Sequence, residues 1–246
     1  MQADSTAKKV ALVIGAGDST GGAIAKRFAR EGYVACVTRR SADKLQTLVD
    51  EIVAAGGQAR GYASDARKEE DVIQLVEDIE RDVGPVEVMV FNIGANVPCS
   101  ILEETARKYF KIWEMACFGG FLVGREVAKR MMTRERGTIL FTGATAGLRG
   151  SANFAAFAGA KHALRALAQS MARELGPRNI HVAHVVVDGA IDTDFIKTNF
   201  PERYAMKDQD GILNPDHIAD NYWHLHTQPR DSWTHELDLR PWIERW

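Results

Sequence analysis

The chain has 246 residues, 46% of them hydrophobic and 26% charged, and its 31 basic and 33 acidic side chains leave a formal net charge of −2. That is the composition of an ordinary globular protein, and so even a balance supplies neither a concentrated basic face for nucleic acid nor an electrostatic anchor for an acidic membrane surface. No apolar run approaches the roughly 18 residues of a membrane span, and the polar start from Met1 to Lys9 lacks a signal-peptide core, so a cytoplasmic protein is expected.

Lys9-Val10-Ala11-Leu12-Val13-Ile14 is a short, β-branched apolar run that stops at Gly15, as a strand buried on both faces should. A glycine-rich turn and a helix around Ala23 to Ala29 follow. Val34 to Thr38 reads as the next strand, and Leu45, Leu48, Val49, Ile52 and Val53 mark one face of a helix that Gly56-Gly57 ends. The alternation continues with a short strand from Ala59 to Ala63, a helix carrying Val72, Val76, Ile79 and Val83, and a buried strand from Val86 to Phe91. A long helix from about Glu103 to Met132, a strand from Thr138 to Thr142, a helix from about Asn153 to Leu175 and a strand from Ile180 to Val187 complete the rhythm.

Strands alternating with helices across short polar turns predict right-handed βαβ units. The fold class is therefore α/β, a single Rossmann-like, doubly wound parallel sheet of about seven strands, with residues 1–246 forming one dinucleotide-binding domain. After Asp188 the rhythm breaks, and residues 188–228 are expected to cover the ligand crevice, with 232–246 as a C-terminal strand and tail. The three cysteines, Cys36, Cys99 and Cys117, are odd in number and scattered, which argues against a disulfide framework. His217, Asp220, His224 and His226 have helical spacing, but a solvated helix face accounts for them better than a metal site, and no metal is expected.

Gly15-Ala16-Gly17-Asp18-Ser19-Thr20-Gly21-Gly22 lies between the first strand and the first helix. Glycine permits close backbone approach, and a helix N-terminus offers free N–H groups and a positive dipole end to a phosphate. A ligand-free tight turn is the plain alternative, but the strand, turn, helix order at the first crossing favours dinucleotide binding, with Ser19 and Thr20 adding hydroxyls. The second strand ends in Thr38-Arg39-Arg40-Ser41, where an NAD-type site carries an acidic residue for the ribose. An arginine pair suits a 2′-phosphate, so NADP(H) is expected over NAD(H).

With these residues the chain resembles the short-chain dehydrogenase/reductase family over nearly its whole length. Gly15 and Gly21 match the ends of the family's glycine motif, with Ser19 at its middle glycine. Asp65, followed by Ala66, matches an aspartate similar in role to an adenine contact. Phe91-Asn92-Ile93-Gly94 resembles the Asn-Asn-Ala-Gly segment, retaining Asn92 and Gly94. Asp188-Gly189 stands for the usual Pro-Gly, and Thr193 stands where a threonine meets the nicotinamide carboxamide.

The active-site segments depart from the pattern. The YxxxK motif is Phe157-Ala158-Gly159-Ala160-Lys161, the family's serine falls on Ala144, and the asparagine of the long helix falls on Ala116. Of the catalytic tetrad Lys161 alone is retained. In the family the tyrosine hydroxyl exchanges a proton with the substrate oxygen, the lysine holds the ribose and favours the phenolate, the serine orients the carbonyl and the asparagine supports a proton relay. Loss of such an acid costs about 10²–10⁴ in rate without excluding hydride transfer. Thr142, Thr145, Asn153 and His184 are candidate replacement donors, each with a plainer role as turn, cap or strand-end residue.

Two readings stay open: an NADP(H)-dependent oxidoreductase acting on a carbonyl or alcohol, and a non-catalytic NADP(H)-binding regulatory or scaffold protein. Retained Lys161, Thr193, Asn92 and the arginine pair favour the first. The resemblance also implies a homodimer or homotetramer. Phe110, Trp113, Met115, Phe118 and Phe121 on the long helix, and Phe154, Phe157, Leu164, Leu167 and Met171 on the next, supply the paired faces, with Trp233, Trp242 and Trp246 in the tail as possible additions to the contact.

Overall fold

The computed structural model describes residues 8–245. Seven strands, β1 (Val10–Ile14), β2 (Val34–Arg39), β3 (Gln58–Ala63), β4 (Val86–Phe91), β5 (Gly137–Thr142), β6 (Ile180–Val187) and β7 (Glu236–Leu239), form one sheet in the order β3-β2-β1-β4-β5-β6-β7. Every neighbouring pair is parallel. Strands β1, β4 and β6 are buried at every residue, because helices cover both faces, and this explains why they are apolar apart from Glu87 in β4 and His181 and His184 in β6. Strand β3 lies at the edge and is largely exposed.

On one face pack α3 (Glu69–Asp82), α5 (Gly119–Arg134) and α6 (Ala155–Leu175), whose Val76, Ile79, Val127, Met131 and Leu164 meet Leu12, Met89 and Phe141 of the sheet. On the other lie α1 (Thr20–Arg30), α2 (Gln46–Ala54) and α9 (Pro215–Thr227), where Phe28, Ile52 and Tyr222 meet Val13, Val37 and Val90. Between β1 and β4 the strand order reverses, which opens a crevice beyond the C-terminal ends of those strands.

Three expectations are corrected. The helix foreseen from Glu103 to Met132 is α4 (Ala106–Trp113), a π turn at Glu114–Phe118 and then α5, with Thr105 as the N-cap of α4. Gly120, just past the π turn, presses so closely on the sheet that a Cβ there would lie 3.2 Å from the Phe91 ring. The helix placed from Asn153 begins at Ala155, because Asn153 adopts φ +68 in the preceding turn. Within 188–228, α7 (Asp194–Asn199) and α8 (Pro201–Tyr204) project beyond β6, but α9 joins the core instead of covering the crevice. Its Ile218, Tyr222 and Leu225 share one helical face and are buried.

The histidines of α9 therefore do not form a solvated face throughout. His226 bridges Tyr33 Oη (2.7 Å) and Thr138 Oγ1 (2.9 Å), Asp220 pairs with Arg27, and His224 lies beside Gln228. Among the described residues no group of three or more His, Cys, Asp or Glu could hold a metal ion. No helix of the described residues is long and apolar enough to cross a membrane. The cysteines Cys36, Cys99 and Cys117 are free. Trp233 stacks on His181 with ring centroids 4.8 Å apart, Trp242 is exposed, and Trp246 lies outside the described residues.

Candidate active site

The crevice is built first by backbone. Gly15 sits at φ +84, and its N–H and that of Ala16 both donate to Thr38 O at the end of β2. Asn92 Nδ2 donates to Gly15 O at 3.2 Å, which ties the end of β4 to the same turn. A Cβ on Gly21 would lie 2.4 Å from Gly15 O, so the first turn of α1 rests directly on the loop, and only glycine allows that approach. Ser19, the N-cap of α1, makes no capping bond, and its Oγ is buried without a hydrogen-bond partner among the described residues. Turn, orphaned hydroxyl and free N–H groups at a helix start make an anion cradle that fits the pyrophosphate of a dinucleotide.

Two cavities flank this cradle. The smaller, about 170 Å³, is lined by Gly15, Arg39, Arg40, Asp65 and Ala66 among others. The larger, about 380 Å³, is lined by residues that include Thr20, Asn92, Gly94, Ala144, Lys161 and Gly189, with the Phe157 ring in its wall. Most of the site residues expected from sequence thus meet around one crevice, although Gly17 and Gly21 act as backbone spacers. The Arg39 guanidinium lies over Gly17, where a Cβ would be 3.3 Å from its Nη2, and it reaches Asp18 (3.5 Å) and Lys44 O (3.3 Å). Arg40 is exposed beside it.

Two expected residues are placed otherwise. Thr193 caps α7, accepting from Ile196 N at 3.2 Å, and does not line the larger cavity. Ala116 is fully buried in the π turn, packed with Ile112, Ala156, Phe157 and Ala160. Residues that sequence reasoning missed are Arg67 and Ser64. Arg67 Nε donates to Asp65 at 2.8 Å and holds that carboxyl below the usual carboxylate range, while Ser64 Oγ is buried and unpartnered among the described residues. A basic residue two positions after an aspartate at a strand end was the available signal for Arg67.

Lys161 is buried, and its Nζ donates to Thr142 O (2.7 Å) and Ile93 O (3.1 Å). Among the described residues no carboxylate pairs with it, and burial pushes its pKa down to about 8. The Phe157 ring centroid lies 5.9 Å from Nζ, so the ring and the ammonium share one wall of the larger cavity.

The candidate donors separate cleanly. Thr142 Oγ1 is bonded to Tyr222 Oη (2.7 Å) on the α9 side of the sheet. His184 is buried with Nδ1 3.0 Å from Glu236 Oε2, and burial pushes its pKa down to about 4. Asn153 is exposed and does not line the larger cavity. Thr145 lines that cavity, and its Oγ1 donates to Asp188 Oδ1.

The family model of short chain dehydrogenases matches residues 9–203. A short-chain dehydrogenase from Rhodopseudomonas palustris is 46% identical, with 95% of this chain and 99% of that one covered and a TM-score of 0.80. A metagenomic short-chain oxidoreductase solved in complex with NADP is 26% identical, with 96% and 98% covered and a TM-score of 0.82. The 3-oxoacyl-acyl-carrier-protein reductase MabA of Mycobacterium tuberculosis is 31% identical over 186 residues, 76% of this chain and 70% of that protein. Sheet order, glycine turn and these matches agree: the chain belongs to the short chain dehydrogenase family of oxidoreductases.

Proposed function

We propose that the protein is an NADP(H)-dependent oxidoreductase that interconverts a carbonyl and an alcohol without the family's tyrosine. The observation that carries the reading is the cationic wall of the smaller cavity, where Arg39 and Arg40 stand beside Gly15 at the end of β2. A 2′-phosphate there would meet two guanidiniums, and charge-assisted bonds of this kind are about twice as strong as neutral ones. The structural relative that holds NADP supports the same choice.

A bound nicotinamide would supply the hydride donor or acceptor. The chain's own contributions are distinct. Gly15, Gly21 and the start of α1 seat the pyrophosphate, and Ser19 Oγ offers it a hydroxyl. Lys161, the one polar member of the tetrad that remains, is held by two carbonyls at the cavity wall, which suits it to a ribose hydroxyl. Phe157, Ala144 and Ile191 give the cavity apolar walls that limit water around the reacting carbon. We also propose that copies of the chain assemble through α4, α5 and α6, where Phe110 of α4 and Phe121 of α5 are exposed on a stacked ladder with Trp113 and Phe118.

Restoring the missing acid tests the reading. Phe157→Tyr with Ala144→Ser is expected to raise NADPH-dependent reduction of a carbonyl panel by about 10²-fold, the usual contribution of a positioned acid, with NADPH affinity unchanged. No gain at intact affinity would mean that this cavity does not present carbonyls to the cofactor, as a non-catalytic NADP(H)-binding protein would behave.

A further inference from the structure

Beside the apolar positions 144 and 157, the larger cavity has one hydroxyl, that of Thr145, fixed on a buried carboxylate behind the wall, Asp188, which the family pattern does not foresee. Thr145 opens a short 3-10 turn, Thr145–Gly147, that is pinned by Gly147 N to Ala144 O (2.8 Å) and Leu148 N to Thr145 O (2.9 Å). Its hydroxyl donates to Asp188, which is 3% exposed and stands where the family has proline. Asp188 is fixed in turn by its own N–H to Leu239 O (2.8 Å), and its second oxygen lies 4.0 Å from Arg240 Nη1. Arg240 also pairs with Asp238, and among the described residues Thr145 and Arg240 are the side chains seen to approach the Asp188 carboxylate.

The polarity of this pair is set by chemistry. A carboxylate only accepts, so the single hydrogen of Thr145 is committed to Asp188, and the threonine oxygen has lone pairs alone to offer the cavity. A tyrosine acid would present a donor to a carbonyl; Thr145 presents an acceptor to an alcohol. Other polar side chains of the cavity do not compete. The Thr142 hydroxyl is bonded to Tyr222, Lys161 Nζ gives two of its three N–H groups to carbonyls and keeps one for the ribose, Asn92 Nδ2 donates to Gly15 O, Thr20 belongs to the start of α1 in the phosphate cradle, and Asn96 and Ser151 stand exposed at the rim.

We propose that Thr145 receives the substrate's hydroxyl and that Asp188 takes up the proton through it. The alcohol O–H proton passes to Thr145 Oγ as the Thr145 proton passes to Asp188 Oδ1, which becomes a carboxylic acid. A bound oxidised nicotinamide would take the C–H electron pair as hydride, so that a carbonyl results. Threonine is unchanged at the end, and the reverse sequence reduces a carbonyl. This inference rests on the NADP(H) reading, and its failure is separable from the failure of that reading.

The test uses the full chain saturated with NADP, first with trifluoroethanol, a poor hydride donor, followed by 19F line broadening. Thr145→Val is expected to weaken trifluoroethanol binding by about 5- to 10-fold, the value of one hydrogen bond, and Thr145→Ser to restore it. With a secondary alcohol that the parent oxidises, Asp188→Asn is expected to lower kcat by about 10²-fold or more while KM moves little. Equal trifluoroethanol affinity in Thr145→Val, an unchanged kcat in Asp188→Asn, or oxidation of no alcohol by a parent that binds NADP would each overturn the proposal. A parent that does not bind NADP would overturn the NADP(H) reading itself.

Discussion

Gly21→Ala is expected to weaken NADPH binding by about 100-fold or more, and to lower the thermal midpoint, although alanine is a better helix former than glycine. The added Cβ would stand 2.4 Å from Gly15 O, 2.9 Å from Ala16 Cα and 3.0 Å from Asn92 Nδ2, all of them parts of the phosphate cradle. Two of these are backbone atoms in a turn held by Thr38 O and Asn92, so the clash is relieved by moving α1 off the loop and not by rotating a side chain. A strain of about 1–3 kcal/mol is ordinary for such overpacking, and about 2.7 kcal/mol already corresponds to 100-fold in affinity. Gly176→Ala is the control: a Cβ there meets nothing within 4 Å, so affinity should hold. Fluorescence titration of both variants decides the matter, and parental affinity in Gly21→Ala would remove the cradle from the account.

The second large effect belongs to Lys161. Its folded pKa of about 8 lies below the ordinary lysine value of 10.5, so between those pH values the folded chain binds fewer protons than the unfolded one. Stability from this group therefore rises with pH from about 8 to about 10.5, and below pH 8 the fold carries the full cost of a buried charge, on the order of 3 kcal/mol. Lys161→Met should remove that pH dependence. At pH 7 it should stabilise the fold by about 1–2 kcal/mol, once the stranded carbonyls of Thr142 and Ile93 are charged against the gain. NADPH affinity should fall at the same time, because the substitution removes the ammonium proposed to hold the ribose. Urea unfolding of parent and variant at pH 7 and pH 10 gives the result; a parent-minus-variant difference that does not change with pH would contradict it.

Much of the architecture was legible because burial on both sheet faces writes itself into the sequence as unbroken apolar runs. Strand β1 is such a run, β4 and β6 are interrupted by Glu87, His181 and His184, β5 keeps the apolar stretch Ile139 to Phe141, and the glycine turn after β1 marks the switch point without any knowledge of strand order. Helix α9 was misjudged because its histidines drew attention to a polar face. The spacing of Ile218, Tyr222 and Leu225 is a core stripe in the same residues. The π turn left no periodic trace, since one wide turn inside a long helix merely shifts the phase of the pattern.

At the site, residue types were readable and partners were not. Arg67 is invisible until the end of β3 folds its side chain back on Asp65. The Thr145 to Asp188 bond joins residues 43 apart that meet because β5 and β6 are neighbours. Thr193 illustrates the opposite case, a residue expected at the nicotinamide whose hydroxyl accepts the capping bond of α7.

The central claim is that the crevice holds NADP(H) through the arginine pair of β2. Its direct measurement is a fluorescence titration of the parent and of Arg39→Ala with Arg40→Ala against NADPH and NADH at one fixed salt concentration. The account predicts that the parent binds NADPH at least about 10-fold more tightly than NADH, and that the double variant loses this preference while its NADH affinity holds. Equal affinity of the parent for the two cofactors, or binding of neither, would contradict it.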